Sequence, residues 1–88
     1  MDKFEKLLRK AENSPNNLRF RELCSLAELV GFIKKKRKAG SHITYLNPKT
    51  GERLTFQEDK SGQAKSYQVR QLLTSIEDFD LKPVSIGR

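Results

Sequence analysis

Tryptophan is absent from this chain of 88 residues, and cysteine, histidine and methionine occur once each. A single cysteine, Cys24, forbids an intrachain disulfide, and with one histidine it leaves too few ligands for a Cys/His zinc site. Phe20, Leu23 and Ala27 surround Cys24 at helical spacing, which makes it a small core residue rather than a nucleophile. Long apolar runs are missing too. No stretch approaches the roughly 20 residues of a membrane-spanning helix, so no membrane partner is expected. Met1 to Lys10 alternates charged and apolar residues without the apolar block of a signal peptide, and a cytoplasmic location is the expectation.

Apolar residues make up 35% of the chain and charged ones 33%, so one modest core must come from a few well-patterned faces. Positive charge is what the chain has in excess. Eighteen Lys and Arg against eleven Asp and Glu give a net charge of +7, which favours polyanionic partners, nucleic acid ahead of acidic protein. The charge concentrates in Lys34-Lys35-Lys36-Arg37-Lys38, and the one histidine, His42, follows after Ala39-Gly40-Ser41. A cationic run attracts a polyanion, and imidazole is the side chain best suited to moving protons near neutral pH. The plainer reading of the same residues is an exposed turn histidine with no chemical role.

Periodicity predicts the order α-α-β-β-β-α. Phe4, Leu7, Leu8 and Ala11 share one helical face, and Ser14-Pro15-Asn16-Asn17 breaks that helix. Phe20, Leu23, Ala27 and Val30 mark a second helix, with Gly31 placed as its terminating glycine. Phe32 to Lys38 and His42 to Leu46 then read as two strands joined by a short glycine-containing connection. Asn47-Pro48-Lys49-Thr50-Gly51 is a turn leading into the strand Arg53 to Gln57, and Glu58 to Lys65 is a polar loop. Val69, Leu72, Leu73, Ile76 and Phe79 form the stripe of a last helix, which Pro83 stops from continuing. The expected fold is α+β, a two-layer sandwich in which a three-stranded antiparallel sheet carries its helices on one face. The other face should be open and basic.

In this order, several segments resemble the HicA family of toxins, the small ribonucleases of HicA/HicB toxin-antitoxin pairs. They are Leu29-Val30-Gly31-Phe32, the basic strand, Gly40-Ser41-His42 with Tyr45 close behind, Asn47-Pro48, the Arg53–Gln57 strand and Tyr67 to Leu73. The resemblance runs from about Phe20 to Leu81. It implies a fold like the double-stranded-RNA-binding domain and cleavage of mRNA without metal, cofactor or ribosome. It also implies a HicB-type antitoxin partner, and a catalytic role for His42. One HicA-like domain over 1–88 is therefore expected, with an accessory helix at 1–14, the family core at 20–81 and a tail at 82–88. Many relatives carry a second histidine where Ile43, Thr44 and Leu46 stand here, so the burden falls on His42.

RNA supplies its own nucleophile, the 2′-hydroxyl. A ribonuclease needs a base for that proton, charge for the phosphoryl oxygens and an acid for the leaving 5′-oxygen. His42 is the candidate base, while Lys36, Lys38, Lys65 and water remain candidates for the acid. Candidate RNA contacts are Lys34, Lys36, Lys38, Gly40, Ser41, Lys65 and Arg70. Gly40 and Ser41 read first as turn residues and second as a close backbone approach to phosphate. In a regular strand Lys34, Lys36 and Lys38 would share a side with Phe32, but the register stays open because Ile33 is apolar as well. Lysines on an edge strand also guard against aggregation. Tyr45 reads as core ahead of a stacking platform, and the helix start at Lys65-Ser66-Tyr67 suits either a phosphate or an ordinary cap. The competing function is a non-catalytic RNA-binding module that recognises duplex shape.

Overall fold

The computed structural model describes residues 2–37 and 42–84, the side chains of Lys36 and Arg37 excepted. Helices α1 (Lys3–Asn13) and α2 (Phe20–Leu29) precede strands β1 (Ile33–Arg37), β2 (His42–Leu46) and β3 (Arg53–Gln57), and helix α3 (Ser66–Asp78) follows. The three strands form one antiparallel sheet in the order β1-β2-β3. The predicted order and fold class are those observed. The break after α1 is a single 3₁₀ turn over Pro15–Asn17.

Alternation along the strands decides which side faces the helices. Ile43, Tyr45, Leu54 and Phe56 are buried together with Leu23, Leu26, Ala27, Val69 and Leu72 from the helices. Tyr45 and Phe56 meet with ring centroids 5.6 Å apart, and the Tyr45 hydroxyl donates to the Glu28 carboxylate at 2.7 Å. Burial, reinforced by that bond, raises the Tyr45 pKa far above the ordinary tyrosine value. Tyr45 is thus a core residue and is not available as a stacking platform. Cys24 is half-buried against the same core.

Both long turns of direction rest on left-handed residues. At the end of α2 the Gly31 N–H donates to Glu28 O and the Phe32 N–H to Ala27 O, at 3.1 and 3.0 Å, and Gly31 has φ +101°. This pair of bonds satisfies carbonyls that the helix end would orphan and packs Phe32 back onto Ala27. Helix α3 ends the same way with Asp80 at φ +51° and the Leu81 N–H on Ile76 O. That reversal buries Leu81 and leaves Phe79 48% exposed, so the predicted stripe ends at Ile76. Pro83 is not what stops the helix.

Helix α1 packs against both α2 and α3. Leu7 and Ala11 are buried there, Phe4 and Leu8 partly so. The Asp2 carboxylate caps its start by accepting the Glu5 N–H at 2.9 Å. Lys10 reaches Glu22 of α2 at 2.9 and 3.0 Å, while Glu22 also accepts the Arg19 N–H at 3.0 Å. Partial burial opposes the charge on Glu22. The Arg19 N–H and the Lys10 ammonium outweigh it, and the carboxyl lies below the usual glutamate range.

Candidate active site

The β2–β3 pairing runs His42 with Gln57, Thr44 with Thr55 and Leu46 with Arg53. Residues directly opposed in an antiparallel pair share a face. Because Ile43 and Tyr45 point to the helices, His42 and Gln57 stand together on the open side of the sheet. Thr44 and Thr55 hydroxyls meet beside them at 3.2 Å.

Strand β1 joins this face less simply. Ile33 pairs with Leu46 and Lys34 with Tyr45, but the next pairing is Arg37 with Ile43, so β1 carries one extra residue between Lys34 and Arg37. Such a bulge breaks the alternation on which a one-sided lysine row depends. Phe32 is buried, which puts Lys34 on the helix-facing side of an edge strand, exposed and across the sheet from His42's face. Ile33, 52% exposed, takes the open side beside Leu46. Among the described side chains the open face is therefore mixed, with Arg53, threonines and apolar groups, rather than strongly basic. The Lys36 side chain and Lys38, Gly40 and Ser41 lie outside the described residues.

The loop after β3 brings a further cation to Gln57, the residue opposite His42. Asp59 accepts from the Ser61 N–H, the Ser61 hydroxyl and the Gln63 N–H at 2.8 to 2.9 Å, and Gly62 turns with φ +85°. The bond from Gln63, then those from Ser61 and Gly62, hold the Asp59 carboxyl below its ordinary pKa. Glu58 bridges to Ala64, whose N–H donates to Leu18 O at 2.8 Å, while the Phe20 N–H donates to Gly62 O at 3.0 Å. The loop is thereby tied to the start of α2 and returns Lys65, the N-cap of α3, to the end of β3. Lys65 Nζ donates to Gln57 Oε1 at 2.8 Å.

Gln68, one turn into α3 and only 5% exposed, completes the arrangement. Its Oε1 accepts the Gln57 N–H at 2.9 Å, a donor that the outer edge of β3 would otherwise leave without a strand partner. Its Nε2 donates to the Tyr67 hydroxyl at 3.3 Å. A groove of about 360 Å³ results, walled by His42, Arg53, Thr55, Gln57, Tyr67 and Gln71. Tyr67 is 54% exposed. Arg70 lies in an adjoining hollow of about 340 Å³ with Glu52 and Thr74, and Tyr67 and Gln71 border both. Glu52 is engaged by the Ser75 hydroxyl. A larger hollow between α1 and α2 is edged by Lys3, Lys6, Lys10 and Arg21, and no histidine lines it.

Of the predicted site residues, the structure joins Lys65 to Gln57, the rung partner of His42, sets Arg70 one hollow away and puts Lys34 on the other side of the sheet. Gln57, Gln68 and Gln71 were missed, as was Arg53 as a neighbour of the histidine. Counting back from the Asn47–Gly51 turn would have paired His42 with Gln57, but no local pattern announces Gln68. Among the described residues no group of three or more His, Cys, Asp or Glu side chains is placed to hold a metal ion, and no helix is long and apolar enough to cross a membrane.

Residues 20–77 match the family model described as the HicA toxin of bacterial toxin-antitoxin systems. The chain belongs to the HicA toxin family. Its membership implies one half of a toxin-antitoxin pair, with an antitoxin as the other half. The match begins at the first residue of α2, so α1 of this HicA-family chain lies outside it. No curated protein and no solved structure gives a significant match.

Proposed function

We propose that the chain is an endoribonuclease that cleaves mRNA without metal or ribosome, with His42 as general base. The observation that carries this reading is the position of the sole histidine in a HicA-family chain: on the open sheet face, at a groove with Arg53 in its wall and Lys65 one glutamine away. Neutral imidazole takes the 2′-hydroxyl proton, and the oxygen attacks the adjacent phosphorus. Arg53 and Lys65 offset the charge that builds on the phosphoryl oxygens. Arg70, in the adjoining hollow, holds the RNA strand mostly through its phosphates, and Lys36, Lys38 and the Gly40-Ser41 backbone add phosphate contacts, whereas Lys34, across the sheet, takes no part. A HicB-type antitoxin covers the groove in the cytoplasmic complex, and the excess positive charge of the toxin speeds that encounter.

The test is an assay of purified protein on an mRNA lacking ribosomes, with EDTA present, against His42→Ala. Parent activity with a loss of about 10² to 10⁴ in the variant is the expected result for a positioned base. Equal activity in both proteins refutes the role of His42. RNA binding without cleavage in either protein points to a non-catalytic RNA-binding module.

A further inference from the structure

We propose that Lys65 is the general acid that protonates the leaving 5′-oxygen, and that Gln57 is the residue that positions it. The assignment rests on the endoribonuclease reading above and supplies the proton donor that a single histidine leaves missing.

Three observations carry it. Gln57 occupies the rung opposite His42 in the β2–β3 ladder and lines the groove with it. It holds the Lys65 ammonium at 2.8 Å. The partner is a neutral amide, and among the described residues no carboxylate forms an ion pair with Lys65. An ammonium has three protons, and one bond to Gln57 leaves two to give. A carboxylate in the place of Gln57 would have stabilised the charged form and opposed proton release.

The holding pair is itself held. The Gln57 backbone is fixed by Gln68 on one side and the ladder on the other. Lys65 is fixed by the tied loop, through the Ala64 N–H on Leu18 O and the bridge from Glu58. A donor placed by the backbone on both sides spends little orientational freedom when substrate arrives. Arg53, in the groove wall, does not substitute, because a guanidinium keeps its proton in proteins.

The chemistry balances. The 2′-oxygen gives its proton to His42 and forms a bond to phosphorus. The bond from phosphorus to the 5′-oxygen breaks, and that oxygen takes a proton from Lys65 Nζ. The products are a 2′,3′-cyclic phosphate and a 5′-hydroxyl end. Water then returns a proton to Lys65 and removes one from His42, with no oxidation or reduction.

The experiment compares two RNA substrates with one scissile linkage, one with the natural 5′-oxygen and one with sulfur in its place. Thiolate leaves without a proton, so loss of the acid is masked on the sulfur substrate. Lys65→Arg should slow the oxygen substrate by about 10² or more and cleave the sulfur substrate near the parent rate, while Lys65→Met, which also loses the charge beside the phosphoryl oxygens, should be rescued by sulfur only in part. Lys65→Arg keeps the charge, so it also separates acid catalysis from phosphate binding. Gln57→Leu should show the same rescue on a smaller scale, while His42→Ala stays slow on both. Normal cleavage of the oxygen substrate by both Lys65 variants overturns the proposal. So does equal slowing on the two substrates at parental thermal stability, or sulfur rescue of Tyr67→Phe in place of the Lys65 variants. A parent that cleaves neither substrate refutes the ribonuclease reading itself, and the acid with it.

Discussion

Replacing Gln68 with leucine keeps roughly the volume of the side chain and removes both of its hydrogen bonds. The parent amide accepts the Gln57 N–H at 2.9 Å and donates to the Tyr67 hydroxyl at 3.3 Å, from a site only 5% exposed. The second bond is weak, and Tyr67 is open to water, so little is lost there. The first matters more. Gln57 is half-buried at the end of the outer strand, and an N–H left unpaired in such a place costs about 1–3 kcal/mol. Leucine recovers part of this by burying apolar surface, so a net loss of about 1 kcal/mol is expected, with a fall in Tm of roughly 4–8 °C for a chain of this size. Thermal unfolding followed by circular dichroism measures the total. Amide hydrogen exchange measures the cause, because the Gln57 N–H should lose protection while the β1–β2 amides keep theirs. Unchanged protection at Gln57 in Gln68→Leu would refute the claim that this side chain seals the strand edge. A fall in Tm with unchanged Gln57 exchange would refute it equally.

Gly31→Ala places a Cβ at φ +101°, 3.3 Å from the Val84 side chain, and should cost about 1–3 kcal/mol by denaturant titration; adding Val84→Ala should relieve only the contact and not the backbone strain. Glu22, whose folded pKa is depressed, contributes stability above its unfolded value. That contribution should fade as pH falls below about 4.3, when the carboxyl takes a proton. Lys10→Ala should remove about 0.2–1 kcal/mol of it at neutral pH and leave acid stability nearly unchanged, which paired urea titrations at two pH values would read; an equal loss at both refutes the ion pair as the source.

Helix α1 stands outside the family match yet is built into the packing. Its apolar side fits against α2 and α3, and its last turn is joined to α2 by Lys10 and Glu22. It lies with the helices, whereas His42 faces the opposite side of the sheet. Loss of α1 would therefore act on the proposed chemistry through stability and not through a contact with RNA at the groove.

Local chemistry determined the elements of this protein. Four-residue apolar spacing marked α1, α2 and α3, alternation of Leu54 and Phe56 marked β3, and Gly31 marked the end of α2, because backbone sterics and solvent act on neighbours in sequence. His42 stood out for the same reason, as a lone imidazole near a run of charge. Tertiary structure decided the rest. Burial of Phe32 and pairing with Tyr45 put Lys34 across the sheet from the histidine's face, and Asp80 turned Leu81 inward where the helical stripe promised Phe79. Lys65 met Gln57, the rung partner of His42, only because β3 pairs rung by rung with β2 and the following loop is tied to α2. Those placements depend on contacts between residues far apart in the chain, and no spacing within one segment encodes them.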